Sequence, residues 1–428
     1  MRAALPVLGV LLLLSCSAAR EDGIERIELW GLGREGEVVA QLMPEFHRRH
    51  PNIRVSVQQI PWTAAHEKLL TAHVGESTPD LAQLGNTWVP EFDTIDALEN
   101  LTPYVQRSSS VDPADFFPGI WATNTIGEDV YGIPWYVDTR LLFYRTDILA
   151  SVGYSEPPRT WEEWVDAMRR IDEAGGGNRF PILLPTNEWS QPILLALQQK
   201  STLLNEDGTR GAFRGPEFRR AFEFYVSLFR QGHAPVLSNS QVANVYQQFE
   251  AGDFAMYITG PWNIGEFRRR LSPSMEGKWT TAPMPAPPGE TYPGTSLAGG
   301  ASLVMFKRSQ KKDAAWKVIE YLSEPAQQIR FYELTGSLPA AKEAWDQPPL
   351  SNDPLVVAFR RQLENVTPTP KVAEWEQIAT IVWEAAESAI RGERSVDGAL
   401  AWLDSRADRI LEKRRWVLAQ EKEEAVGE

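Results

Sequence analysis

Three short segments decide the fold class: Ile27-Glu28-Leu29-Trp30, Ile53-Arg54-Val55-Ser56-Val57 and Asp80-Leu81-Ala82-Gln83-Leu84. Ile53, Val55 and Val57 alternate with polar residues, the period of two that a strand requires. Between the first two segments, Val39, Leu42, Met43 and Phe46 fall at i, i+3, i+4 and i+7. That spacing is one apolar helical stripe, and His50-Pro51 ends it. A second helix, over about Ala64 to Val74, turns Leu69 and Leu70 inward. Strand, helix, strand, helix, strand is the pattern of a parallel α/β sheet. Ligands of such sheets lie beyond the carboxyl ends of the strands, which points to the loops Trp30 to Glu37 and Gly85 to Trp88.

Outward from this stretch the pattern changes. Tyr131 to Asp138 and Leu141 to Arg145 read as extended segments close together. Thr160-Trp161-Glu162-Glu163 matches a capping box and opens a helix that stops at Gly175-Gly176-Gly177. Pro216 to Arg230 carries Phe218, Phe222, Tyr225 and Phe229 on one helical stripe. Phe254 to Ile258 reads as a strand ending at Gly260-Pro261-Trp262, and the last third is largely helical.

The first residues read as an export signal. Met1-Arg2 precedes the apolar run Leu5 to Leu14, which falls short of the ~20 residues that span a bilayer. Leu13-Leu14-Ser15-Cys16 closes that run and resembles the bacterial lipobox, so Cys16 is the expected lipid attachment site. It is the sole cysteine, which leaves no disulfide within the chain. Ser17 to Gly23 is then a tether to the membrane. The remaining ~410 residues suit two or three domains. A formal charge of −14 excludes the basic footprint that nucleic acid requires. The five histidines include no two-histidine zinc motif, and no phosphate-cradling loop or nucleophile elbow is present. No metal or cofactor is expected. Sixteen tryptophans stand out; most serve cores, yet flat aromatic faces also match pyranose rings.

Several further segments, in order, resemble the family 1 extracellular solute-binding proteins, the maltose-binding-protein-like receptors of ABC importers. They are Phe46 to Pro51 with Ile53 and Val55, Pro79-Asp80-Leu81, Gly132 to Asp138 running into Leu142 to Arg145, and Pro157 to Trp161. Phe249 to Met256, Leu297 to Gly300 and Thr335 to Pro339 complete the series. The resemblance implies an α/β, two-lobe periplasmic-binding-protein fold (type II) with discontinuous lobes and a ligand cleft between them. On that reading residues 1–15 are the leader and 16–23 the tether. Residues 24–138 and 296–336 form lobe one, 139–295 and 337–418 form lobe two, and 419–428 are a charged tail. The implied function is capture of a sugar, expected to be an oligosaccharide, by lobe closure and delivery to importer permease subunits. A monomer held at the membrane by its lipid is expected, acting without catalysis.

A buried sugar site needs hydroxyl partners and aromatic plates. Tyr136 and Asp138, two apart in an extended segment, project to one side as a plate and an acceptor, or Asp138 caps a turn. Glu35 and Glu37 follow the first strand as acceptors, with helix-end stabilisation the other reading for Glu35. Asn86 and Thr87 either bond hydroxyls or make an Asx-type turn. Trp62, Trp189 and Trp262 sit beside turn residues as plates, whereas Trp161, Trp164, Trp316 and Trp402 have helical spacing and read as packing. Gly299 and Gly300 permit close backbone approach. Some relatives carry arginine between the prolines of Pro368-Thr369-Pro370; Thr369 here removes that forked donor and leaves the sugar open. Two rival readings stand: a secreted glycoside hydrolase with paired carboxylates such as Glu35 and Asp138, and a binding protein for a non-sugar solute.

Overall fold

β1 (Glu25–Leu32), β2 (Ile53–Ile60) and β3 (Leu81–Gly85) form where the deciding segments place them, with β1 parallel to both neighbours. The computed structural model describes residues 23–177 and 179–427, so Cys16, the leader and all but the last residue of the tether lie outside the described residues. The stripe expected as one helix is broken into helices Gly33–Val39 and Met43–Arg49. Pro44 explains the break. It cannot donate to the preceding turn, and it sits at the start of the second helix, where no donor is needed. Val39, Leu42, Met43 and Phe46 are nevertheless all buried.

A small hairpin, β4 (Thr125–Ile126) and β5 (Asp129–Val130), leads into β6 (Ile133–Asp138). After only Thr139 and Arg140, β7 (Leu141–Arg145) begins in a different sheet. That second sheet also holds β8 (Phe180–Leu183), β9 (Phe254–Thr259) and β10 (Trp279–Ala282), in the order β10-β7-β9-β8. β11 (Ser296–Leu297) brings the chain back, and β12 (Gly299–Met305) inserts antiparallel between β3 and β6. With β13 (Leu338–Pro339) the first sheet reads β13-β6-β12-β3-β1-β2. β14 (Val366–Thr367) pairs with β11, beside the link from β6 to β7. Ser296 is fully buried there; its Oγ donates to the Arg140 carbonyl at 2.8 Å.

One boundary differs from expectation. The resemblance places residues from 337 onward in lobe two, yet Leu338 and Pro339 pair with Val137 and Tyr136 in the first sheet. Gly336, with φ of 81°, is the left-handed cap of helix Pro325–Thr335; the glycine marks a helix end and no change of lobe. The passage to the second lobe falls between the 3-10 turn Lys342–Asp346 and helix Pro354–Leu363, which packs on β10 and β7. Asp353 accepts there from Arg268 at 2.7 Å and from Tyr332 at 3.2 Å. The segment read as a charged tail belongs to helix Glu412–Gly427.

Packing follows the periodicities. Phe218, Phe222, Tyr225 and Phe229 are buried in the second lobe with Trp161 and Trp164, Trp316 is buried in the first, and Trp402 packs at a core margin. The capping box is half realised. Thr160 accepts from the Glu163 backbone at 3.2 Å, but the Glu163 carboxylate takes the Arg159 N–H instead. Among the described residues no helix is long and apolar enough to cross a membrane, and no cluster of three ligating side chains could hold a metal ion.

Candidate ligand-binding cleft

The carboxyl ends of β1 and β3 face those of β8 and β9 across a cleft of about 750 Å³, floored by the β6–β7 and β11–β12 crossings. On the first-lobe wall, Glu35 stands in the opening turn of helix Gly33–Val39. Its carboxylate accepts from Trp62 Nε1 at 3.4 Å and from Ser337 Oγ at 3.3 Å. Burial pushes this carboxyl above its usual range, against those hydrogen bonds. Trp62 opens helix Trp62–Val74, is 37% exposed, and meets Trp88 edge-on at 5.7 Å. Asn86 and Thr87 occupy the single turn after β3. Asn86 Nδ2 donates to the Ala298 carbonyl at 3.3 Å, and Thr87 Oγ1 donates across the cleft to Glu376 at 2.6 Å.

The floor carries Tyr136 and Asp138. Both face the cleft, as alternation along β6 requires. Tyr136 is almost wholly buried, and its hydroxyl accepts from Gln83 Nε2 at 3.1 Å. That burial, with the charges of Glu35 and Asp138, holds the phenol well above its usual value. Asp138 is paired to Arg140 at 2.6 Å, and burial still raises the aspartate. Arg140 in turn lies 4.8 Å from the centre of the Trp262 ring. One guanidinium therefore ties the floor acceptor to a plate of the opposite wall.

The second-lobe wall holds Trp262, 46% exposed at the start of helix Trp262–Arg270, and Trp189, whose ring stands edge-on to Trp375 at 5.8 Å. Thr369 and Glu376 also line it. Gly299 and Gly300 border the cleft, and their smallness serves the sheet. A Cβ on Gly300, whose φ is 137°, would lie 2.2 Å from the Tyr136 carbonyl. Glu37 does not join this group; it points away and pairs with Arg34 at 3.0 Å on the surface. Reading the sequence missed Arg34, Trp88, Arg140, Ser337 and Glu376. Trp88 and Arg140 sit one and two residues from candidates, a signal that was available. Glu376, 289 residues from its partner Thr87, offered none.

A cleft between two α/β lobes, crossed three times by the chain and lined by indoles and carboxylates, is a receptor's geometry. The family model for bacterial extracellular solute-binding proteins matches residues 30–329. The chain belongs to that family. The sugar-binding protein MalE of the phytopathogen Xanthomonas citri is 50% identical and superimposes with a TM-score of 0.90, over 92% of this chain and 100% of that one. A binding protein of Brucella abortus is 26% identical over 89% of this chain and 91% of its own. The diacetylchitobiose binding protein DasA of Streptomyces coelicolor is 24% identical over 79% and 78%.

Proposed function

We propose that the protein is an extracytoplasmic oligosaccharide-binding lipoprotein, anchored through Cys16, that closes its lobes on ligand and hands it to an ABC importer. The observation that carries this reading is the pairing of half-exposed tryptophans on both walls with carboxylates held at the floor and rim. Trp62 and Trp262 offer flat apolar faces, while Asp138, Glu35 and Glu376 offer acceptors for hydroxyl hydrogens. Relatives described as sugar-binding and diacetylchitobiose-binding support the substrate class. The lipobox-like Leu13-Leu14-Ser15-Cys16 supports the anchor. Glu35, Trp62, Asn86, Thr87, Tyr136, Asp138, Trp189 and Trp262, with Gly299 and Gly300, are the proposed ligand contacts. The protein acts as a monomer, without catalysis.

Thermal unfolding across a panel of sugars, amino acids and polyamines tests the substrate class. A ligand bound only by the native state raises the melting temperature, by mass action worth about 2.7 kcal/mol at a hundredfold excess over Kd. An oligosaccharide is expected to give the largest shift. Stabilisation by a non-sugar alone would replace the substrate class, and release of smaller sugars from the oligosaccharides would replace binding by hydrolysis.

A further inference from the structure

Trp62 and Trp88 line the cleft, and both are held by a histidine that does not. His66 stands four residues after Trp62 on helix Trp62–Val74, so the two share a face. Opposite them, Trp88 closes the single turn Asn86–Trp88, and helix Val89–Thr94 carries Glu91 and Phe92, three and four residues further on. The two faces interlock. His66 Nε2 meets Glu91 Oε2 at 2.6 Å, and the imidazole stands edge-on to Trp88 at 4.9 Å and to Phe92 at 6.0 Å. Trp88 in turn meets Trp62 at 5.7 Å and lies against Gly85, where a Cβ would be 3.4 Å from the indole.

The His66 and Glu91 side chains are 32% and 24% exposed, so water competes only in part for their bond. As an imidazolium, His66 donates to a carboxylate, and such a charge-assisted bond is roughly twice as strong as a neutral one. Glu91 therefore holds His66 above the ordinary 6.5; burial opposes it, and the charge of Glu376 on the second lobe adds to it. Glu91 and Glu376 are the charged groups acting on the ring. Glu376 also accepts from Thr87, the residue before Trp88, at 2.6 Å. The turn Asn86–Trp88 is thus gripped at two adjacent residues, and one of the grips titrates. We propose that His66 is a positioning residue of the cleft: bonded to Glu91 as the imidazolium, it fixes the Trp88–Trp62 pair in the orientation that receives a sugar ring. Loss of the proton weakens the bond to Glu91 and releases the indoles. The stabilisation by the imidazolium is complete below 6.5 and is lost as pH rises through the raised folded value. Sugar affinity falls over the same interval, and by reciprocity bound sugar raises His66 further. The affinity half of the inference rests on the carbohydrate reading above; the placement of the indoles does not.

Proton NMR of the full chain tests the placement without ligand. It follows the His66 imidazole and the Trp62 and Trp88 indole N–H signals from about pH 5.5 to about 9, the range a histidine spans. Burial holds His47, His50 and His233 below the ordinary value, which separates them from His66. In the wild type both indole signals should move with the His66 midpoint. H66Q keeps a donor without the charge and should abolish that movement; E91Q keeps an acceptor without the charge and should lower the midpoint. Calorimetric titration with maltotriose and with N,N′-diacetylchitobiose reads affinity. For a sugar that binds, affinity should fall about fivefold across the range in the wild type and not in H66Q, the low end of coupling between linked sites. Saturation with that sugar should raise the His66 midpoint by about 0.7, the same factor of five read without any variant. Indoles that ignore the His66 titration, or an affinity whose pH profile is the same in wild type and H66Q, overturn the inference. Binding of neither sugar, with indoles that still follow His66, overturns the carbohydrate reading and upholds the placement.

Discussion

The two walls of the cleft are built differently. The first-lobe wall draws Glu35, Trp62, Asn86 and Thr87 from three consecutive strand ends within one short stretch of chain; Glu35 is held by Trp62 and Ser337, while Thr87 bonds across to Glu376. The second-lobe wall gathers Trp189, Trp262, and Thr369 with Glu376, from three distant stretches of chain, and all but Thr369 stand at or near helix starts. Its Trp262 is the most exposed aromatic of the site. Each wall offers an indole and a carboxylate, with Glu35 held by its neighbours on the first and Trp262 the more exposed indole on the second. A sugar has hydroxyls at its rim and apolar faces, so opposed walls grip it fully only when both are engaged. That coupling between ligand contact and lobe closure is what hinge-type receptors exploit.

The largest effect is expected at the floor that joins the walls. Asp138→Ala leaves the Arg140 guanidinium without its 2.6 Å partner in a largely enclosed position. Stability to urea should fall by about 2 kcal/mol or more, and sugar affinity should be lost with it. Next come the plates. Trp262→Ala should weaken binding about 10- to 100-fold with little change in unfolding midpoint, because the ring is nearly half exposed. Trp62→Ala should weaken binding and also alter Glu35, whose carboxylate loses a donor. Equal behaviour of the two variants, in affinity and in pH dependence, would dissolve the contrast between the walls.

Glu35 gives a pH test of smaller size. Burial raises its folded-state pKa above the ordinary 4.5, so the folded protein holds that proton to higher pH than the unfolded chain does. Its contribution to stability accordingly declines as pH rises from the ordinary value through the raised one, and is flat above it. Sugar affinity should move the opposite way, since the ionised carboxylate is the better acceptor. Glu35→Gln is expected to remove both slopes, to raise the ligand-free melting temperature at neutral pH and to weaken sugar binding. Parallel slopes for stability and affinity would remove Glu35 from the acceptor role. The smallest effect belongs to Glu37→Gln. This residue lies outside the cleft in an exposed pair with Arg34 at its rim, so affinity should change less than twofold and stability by about 0.5 kcal/mol or less.

How much could be read in advance follows the same contrast. The first-lobe residues were legible because a parallel sheet sends its loops to one edge, so Glu35, Asn86 and Thr87 could be placed by counting from strand ends. Trp189 and Trp262 were recognisable only by being large aromatics beside turn residues. Arg140 escaped notice because a lone arginine after Asp138-Thr139 reads as a surface charge; its function comes from meeting Trp262 over the crossing. Glu376 was hidden for another reason. The opening turn of an amphipathic helix often carries an acid for the helix dipole alone.

By itself the sequence determined the strand and helix alternation, the apolar stripes and the strand ends where a ligand could sit. These are local matters, governed by side-chain period and turn chemistry over a few residues. Only the tertiary structure decided that Pro44 breaks a helix without unburying its stripe, and that Gly336 caps a helix while the chain stays in the first lobe. It also decided which carboxylates face inward: Glu35 does and Glu37 does not, although they stand two apart, since on a helix such neighbours point in different directions. The cleft itself, with Thr87 reaching Glu376, exists because three crossings bring distant segments together, and sequence periodicity carries no information about contacts at that range.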